Sequence, residues 1–280
     1  VELPKKSTFE DIVEVGQEIV DSGAAEAAIT WPLHSWFFEE WMANMGQTLV
    51  NNGNGREGAP TEAHLTSDAA MRIFSWWKEL YDKGLWVNPG LEDWAQARSN
   101  FISGRAAMLI SSTSDVTYME NMAAEKGFEL GTAYIPVPAD VERQGVVIGG
   151  GNLWITNNQP EEELEAAVTF ALWMSQPENA IRWHKGTGYF PIRKSAVDVL
   201  NVQGWFDQHP SFKTALDQLM ETSTTTATAG ALIGPFRQVR TIIEESFQSV
   251  MAGTSVEKAL ENAKRKTENA MEEYQEVAGS

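Results

Sequence analysis

The chain of 280 residues has no cysteine. Disulfides are excluded, and with them cysteine-based zinc and redox chemistry. Histidine is scarce. His34, His64, His184 and His209 stand apart, with no His-x-x-x-His pair, so no metal site is expected. No apolar run approaches the length of a membrane span. The opening VELPKKSTFE lacks the apolar stretch of a signal peptide, which says nothing about export if the start is cut. Basic residues are few, 21 Lys and Arg against 39 Asp and Glu. Nothing would neutralise the phosphates of a duplex, so no nucleic-acid partner is expected.

Catalytic patterns are lacking too. Glu39 and Glu40 are neighbours and point in different directions on a helix, whereas a glycosidase pair must face each other across a bond. The glycines at 149–151 are not followed by Gly-Lys-Ser/Thr, so they form no phosphate loop. No nucleophile and base can be paired. The reading is a non-enzyme without cofactors.

What the chain has in quantity is tryptophan, eleven in all, and acidic charge, net −18. Acidity keeps a protein soluble. Large aromatics bury much area, so core packing is one use for the tryptophans. Their flat rings also suit the C–H faces of sugars and polyols. Trp31, Trp36 and Trp41 cluster and are the best candidates for that second use.

Periodicity alternates between short apolar strands and helices, which predicts an α/β fold. Ser7-Thr8-Phe9-Glu10 reads as a capping box before a helix that Gly23 ends. Strands are expected at Ala27–Thr30, Ala106–Ile110, Leu130–Ile135, Val146–Ile148 and Leu153–Thr156. Ser67 caps one helix, and Asp93 or Glu92 opens another. The loop Asn51–Arg56 is rich in turn formers. Pro160 and Pro177 start two helices, and Gly186 and Gly188 end the second. After Lys194 the pattern is nearly all helical, broken by the polar loop Ser223–Gly230.

The stretch from Gly149 to Lys194, GGGNLWITNNQPEEELEAAVTFALWMSQPENAIRWHKGTGYFPIRK, resembles the extracellular solute-binding proteins of ABC importers, in their sugar and glycerol-phosphate group. ITWPLHSWFFEEWMANMG is similar to that family's Trp-rich ligand segment. FISGRAAMLISSTSD resembles its F-x-x-G-x-x-A-M strand and polar turn. IGPFRQVRTIIEESFQSVMAGTSVEKALENA resembles its closing helical hairpin. The resemblance implies a two-lobed periplasmic-binding-protein-like fold of type II. Residues 1–135 and 196–280 would form the second lobe, and 136–195 would return to the first. Family members open with a βαβ segment, so the fold is expected to be incomplete at the N-terminus.

The resemblance also implies a function. A monomer would capture a sugar, polyol or glycerol phosphate between lobes and deliver it to the transmembrane subunits of an ABC permease. It would work in the periplasm, or outside the cell as a membrane-anchored lipoprotein. The alternatives are a carbohydrate-active enzyme and an interaction module without a small ligand. Candidate ligand contacts are Trp31, His34 and Trp36 in the Trp-rich segment, with Ser112, Thr113 and Ser114 in the polar turn. Gly150 and Gly151, Tyr189, Phe236 and Arg237 complete the set. The hydroxyls could equally be N-caps, and the glycines a tight connection. In the family a phosphate-binding arginine lies eight residues ahead of the position matching Arg240. That position is Leu232 here, which argues for a neutral solute unless Arg237 or Arg193 substitutes.

Overall fold

The computed structural model describes residues 2–278. It divides into two compact units. The larger comprises residues 1–110, 133–148 and 218–280, and the smaller 111–132 and 149–217. The segment before Ile148 bonds to the larger unit, and Leu200, Phe206 and Phe212 pack within the smaller one.

The larger unit starts with α1 (Phe9–Asp21), β1 (Ala27–Thr30), α2 (Ser35–Asn44) and the single turn α3 (Asn51–Gly55). Then come α4 (Asp68–Asp82), β2 (Trp86–Val87), α5 (Trp94–Ile102) and β3 (Ala106–Leu109). The three strands form a parallel sheet in the order β2-β1-β3, with Ile29 beside Trp86 and Met108. All four residues of the central β1 are buried, as a parallel strand covered on both faces requires. β2 is too short to leave a pattern and was not foreseen in the sequence.

Capping explains most boundaries. α1 has a capping box one residue later than expected. Thr8 caps the Asp11 N–H, and Asp11 caps that of Thr8. Glu10 instead accepts from the Ala139 N–H. Ser67 and Asp93 cap α4 and α5 as the sequence indicates. The unit closes with the hairpin α12 (Phe236–Met251) and α13 (Val256–Ala278). Its core is aromatic: Trp31, Trp41, Trp76, Trp77 and Trp86 interlock with Phe9, Phe37 and Phe247.

The smaller unit holds a 3-10 turn (Thr113–Asp115), α6 (Val116–Lys126), α7 (Glu161–Met174), α8 (Pro177–Thr187), α9 (Lys194–Val202), α10 (Trp205–Gln208) and most of α11 (Pro210–Met220). Its core is small, centred on Leu200, Phe206 and Phe212. Every residue of α7 keeps some exposure.

Three expected strands, Leu130–Ile135, Val146–Ile148 and Leu153–Thr156, are irregular chain without strand pairing. Side chains take part of the bonding a neighbouring strand would supply. The Ile135 N–H goes to Gln218 Oε1, and the Val146 and Val147 N–H groups go to Thr222 and Glu40.

Candidate functional site

The candidate residues collect in two groups, one in each unit. The first forms where α2 begins. Its first N–H groups need acceptors, and two residues distant in sequence from each other supply them. His34 Nδ1 accepts from the Trp36 N–H at 3.0 Å, and Glu244 Oε1, from α12, accepts from the Ser35 N–H at 3.0 Å. The Ser35 hydroxyl donates to Glu39 at 2.9 Å. Arg240 grips Glu39 with two hydrogen bonds of 2.8 and 2.7 Å, and its guanidinium lies 4.7 Å over the Phe236 ring.

The electrostatics follow from burial. Burial and then the Arg240 charge hold His34 below the usual histidine range, so it is neutral and free to accept. Burial pushes Glu244 up. Burial opposes the Arg240 charge, but the hydrogen bonds and charge of Glu39 outweigh it and raise that pKa. His34, Glu92 and Glu244 bring possible ligand atoms within 4.8 Å of one another. Yet Nδ1 and Oε1 already accept from the positive end of α2, beside Arg240, which disfavours a cation. The arrangement serves as a helix cap.

In this group Trp36 is half-buried and stands 6.0 Å from the Trp94 ring. His34 lies 5.8 Å from the same ring. Phe236 is half-buried and Arg237 exposed at the start of α12. Trp31 is placed differently. It is wholly buried, stacked near-parallel to Trp76 at 5.7 Å and packed against Trp41, Trp77 and Trp86, so it offers no surface to a solute. Leu232 is 55% exposed, with its N–H bonded to the Asn54 carbonyl.

The second group surrounds Tyr189. α8 ends at Gly188 with φ 95°, and a side chain there would collide with the Thr113 carbonyl. The glycine lets the loop lie on the Ser112–Ser114 turn. His184 is buried. Its Nδ1–H donates to the Tyr189 carbonyl at 2.7 Å, since a carbonyl can only accept. Burial holds this imidazole below its ordinary range, hence neutral. Thr187 accepts from the Tyr189 N–H at 3.1 Å. The Tyr189 ring, 37% exposed, stands beside Gly150, where a Cβ would lie 3.7 Å away. Gly151 borders open space. Ser112 Oγ accepts from the Ser114 N–H and hydroxyl, a capping role.

Sequence reasoning missed Glu39, Arg240, Glu244 and His184 as the residues that hold these groups in place. The available signal was a pair of glutamates inside the otherwise apolar run SWFFEEWMAN.

Residues 3–214 match the family described as bacterial extracellular solute-binding protein. The chain is 27% identical over 267 residues to the sn-glycerol-3-phosphate-binding periplasmic protein UgpB of Escherichia coli K12, a match covering 94% of this chain and 59% of that protein. The chain thus spans 59% of the length of the curated relatives it matches. Among solved structures, the GacH receptor of Streptomyces glaucescens superposes with a TM-score of 0.76 at 19% identity, over 97% of this chain and 66% of that one. UgpB from Mycobacterium tuberculosis, solved with glycerophosphocholine, gives 0.71 at 22%, over 98% and 66%. The expected α/β, periplasmic-binding-protein-like fold is the fold shared with these two-lobed proteins. No described helix is long and apolar enough to cross a membrane. The chain belongs to the bacterial extracellular solute-binding protein family.

Proposed function

We propose that this chain is the solute-capturing part of an ABC importer's substrate-binding component, working in the periplasm or at the outer face of the cell. The larger unit is read as second-lobe material and the smaller as part of the first. The solute is a sugar, polyol or glycerol-phosphate-like molecule, handed to a membrane permease without chemical change. The observation that carries this reading is the construction around Tyr189. Gly188, His184 and Thr187 spend their conformational freedom and hydrogen bonds on displaying one half-exposed ring beside an open glycine backbone. That is how a contact surface is built, with rigid aromatic and backbone groups that fix a polar ligand. Trp36 provides a second such ring. UgpB supplies the precedent for a glycerol-phosphate solute, but the Arg240 charge is already committed to Glu39 and Leu232 is apolar. A neutral polyol or saccharide fits these groups better than an anion does.

The test is a thermal-shift screen of neutral mono- and oligosaccharides, glycerol and glycerol phosphates, followed by calorimetry of the strongest stabiliser. Binding that Tyr189→Ala weakens while the fold is kept supports the reading. A panel that leaves the melting temperature unmoved, or hits indifferent to Tyr189→Ala, overturns it.

A further inference from the structure

One buried acid takes no part in the groups above. Glu40 is 2% exposed. It lies on α2 one turn after Trp36 and one turn before Asn44, so the three form a single stripe. Against this stripe runs the strap Gln144–Val147, whose four consecutive N–H groups are all taken. Gln144 donates to the Asn44 carbonyl at 2.8 Å and Gly145 to Asn44 Oδ1 at 3.1 Å. Val146 donates to Thr222 Oγ1 at 3.1 Å and Val147 to Glu40 Oε2 at 3.0 Å. Gly145 has φ 114°, and any side chain there would strike Thr222. Beyond Val147 the chain leaves the larger unit through Ile148 into the glycines 149–151.

We infer that Glu40 is a positioning residue that ties the Trp36 ring to the strap Gln144–Val147, so that a displacement at the ring is passed to the backbone entering the glycine run. Its bearing on solute uptake rests on Trp36 being a solute contact, as proposed above.

The chemistry of the tie is that of a neutral acid. Glu40 Oε1 is sealed from water without a hydrogen-bond partner. Burial pushes the carboxyl up to about 8, the neighbouring Glu39 adds to the rise, and the Val147 N–H and then the Trp36 indole work against it. Few other charges face it. Glu39 is gripped by Arg240 of α12, and Glu244 of α12 caps the far end of α2 with His34. Arg72 and Lys78 of α4 pair with Asp140 and Asp82 at the surface. Arg143, just before the strap, bonds to the Ile135 and Ser7 carbonyls. Ionisation would leave Oε1 charged and unsolvated. Trp36 stands one turn away on the same side of α2, so loss of the proton changes the electrostatic environment of that ring.

The experiment labels the 280-residue chain with 5-fluorotryptophan, assigns the Trp36 ¹⁹F resonance by its loss in Trp36→Phe, and titrates from pH 6 to 9.5 without solute. Amide hydrogen exchange at Val147 is followed in parallel. The Trp36 resonance is expected to titrate with a midpoint above 7. Glu40→Gln should abolish that titration while keeping Val147 protected. Glu40→Leu should lose the protection at Val147 at least tenfold. If Glu40→Leu does not fold, the titration of the Trp36 resonance in the unmutated chain and its absence in Glu40→Gln decide the matter. A Trp36 resonance that does not titrate, one that still titrates in Glu40→Gln, or Val147 protection left unchanged in a folded Glu40→Leu would overturn the inference. Because no solute is present, these outcomes are separate from the solute reading, which fails instead if Trp36→Ala leaves saccharide and glycerol 3-phosphate binding unchanged.

Discussion

At the scale of single residues, two tryptophans five positions apart have opposite assignments. Trp31 is enclosed by four other indoles, so removing it leaves a cavity. Trp31→Ala is expected to destabilise the larger unit by about 3–5 kcal/mol, seen as a lowered urea midpoint. Tyr189→Ala removes a half-exposed ring, so stability should hardly move while solute binding weakens by about 1–3 kcal/mol, measured by calorimetry. The reverse pattern, with Trp31→Ala folded and impaired only in binding, would place Trp31 in the site after all. Glu40 gives a pH dependence whose sign can be worked out. Its folded pKa is about 8 against 4.5 for the free side chain, so between those values the folded state binds the extra proton. Stability therefore falls as pH rises through that window, by about 1.4 kcal/mol per unit at most, and levels off above the folded value. Melting temperatures of Glu40→Gln and the unmutated chain should coincide best near pH 4.5 and separate towards pH 8, with the glutamine variant the more stable. A constant difference across that range would show that Glu40 does not carry the proton.

At the scale of elements, what the sequence reveals depends on whether an element is built from its own residues. α4, α5 and β1 are. Ser67, Asp93 and the buried run Ala27–Thr30 sit inside or directly before them, and all three were legible. The capping box of α1 was legible to within one residue, because Ser7-x-x-Glu10 and Thr8-x-x-Asp11 both satisfy the pattern and only packing chooses between them. The cap of α2 was not legible, since one acceptor is Glu244, 209 positions from Ser35. The three failed strands err for the same reason, because strand pairing depends on a partner that local composition does not show. In the candidate site the displayed rings of Trp36 and Tyr189 could be named from motifs, whereas the residues that hold them could not. The turn α3 is an extreme case of local specification. Asn52, Gly53, Asn54 and Gly55 all have positive φ, between 53° and 84°, a conformation that asparagine and glycine tolerate and others resist. Asn54 is buried, accepts from the Leu49 and Val50 N–H groups and donates to the Thr226 carbonyl. Gly55→Ala would drive its methyl into the Leu232 carbonyl. We expect a loss of about 1–3 kcal/mol from strain of this kind, read from the urea midpoint. By contrast Gly23→Ala, also at positive φ but facing open space, should cost less. Equal losses at both sites would mean that the collision with Leu232 is relieved by movement of the 223–233 loop.

At the scale of the whole molecule, surface and charge decide what the chain meets. The smaller unit presents a run of apolar side chains to water. Trp154 is 86% and Val202 90% exposed, and Val168, Phe170, Leu172 and Trp173 all project from α7. A surface of that kind is normally covered. Polypeptide 1–280 should therefore bind a hydrophobic dye and self-associate at micromolar concentration. A dye-silent monomer in sedimentation would contradict this. Charge then bears on the solute. With a net charge of −18 the molecule repels anions at long range. At short range the two arginines of α12 differ in availability. Arg240 is bound by Glu39 and lies against Phe236, and Arg237, exposed on α12, pays the desolvation of a phosphate only if the ligand reaches it. A phosphate at the Leu232 position would meet an apolar side chain, and the nearby Arg56 guanidinium is already held by the Ala229 and Gly230 carbonyls. A neutral saccharide or polyol should thus raise the melting temperature more than sn-glycerol 3-phosphate does. At a hundredfold excess over its Kd a ligand stabilises by about 2.7 kcal/mol, enough for a thermal-shift screen to resolve. The ionic-strength dependence separates the two electrostatic causes. If long-range repulsion alone weakens glycerol 3-phosphate, its deficit should shrink as salt rises from 50 to 500 mM, whereas a missing clamp leaves the deficit in place. A strong shift with glycerol 3-phosphate and none across the saccharides would reverse the assignment. In that outcome Arg237→Gln and Arg193→Gln would identify which arginine had taken over the phosphate.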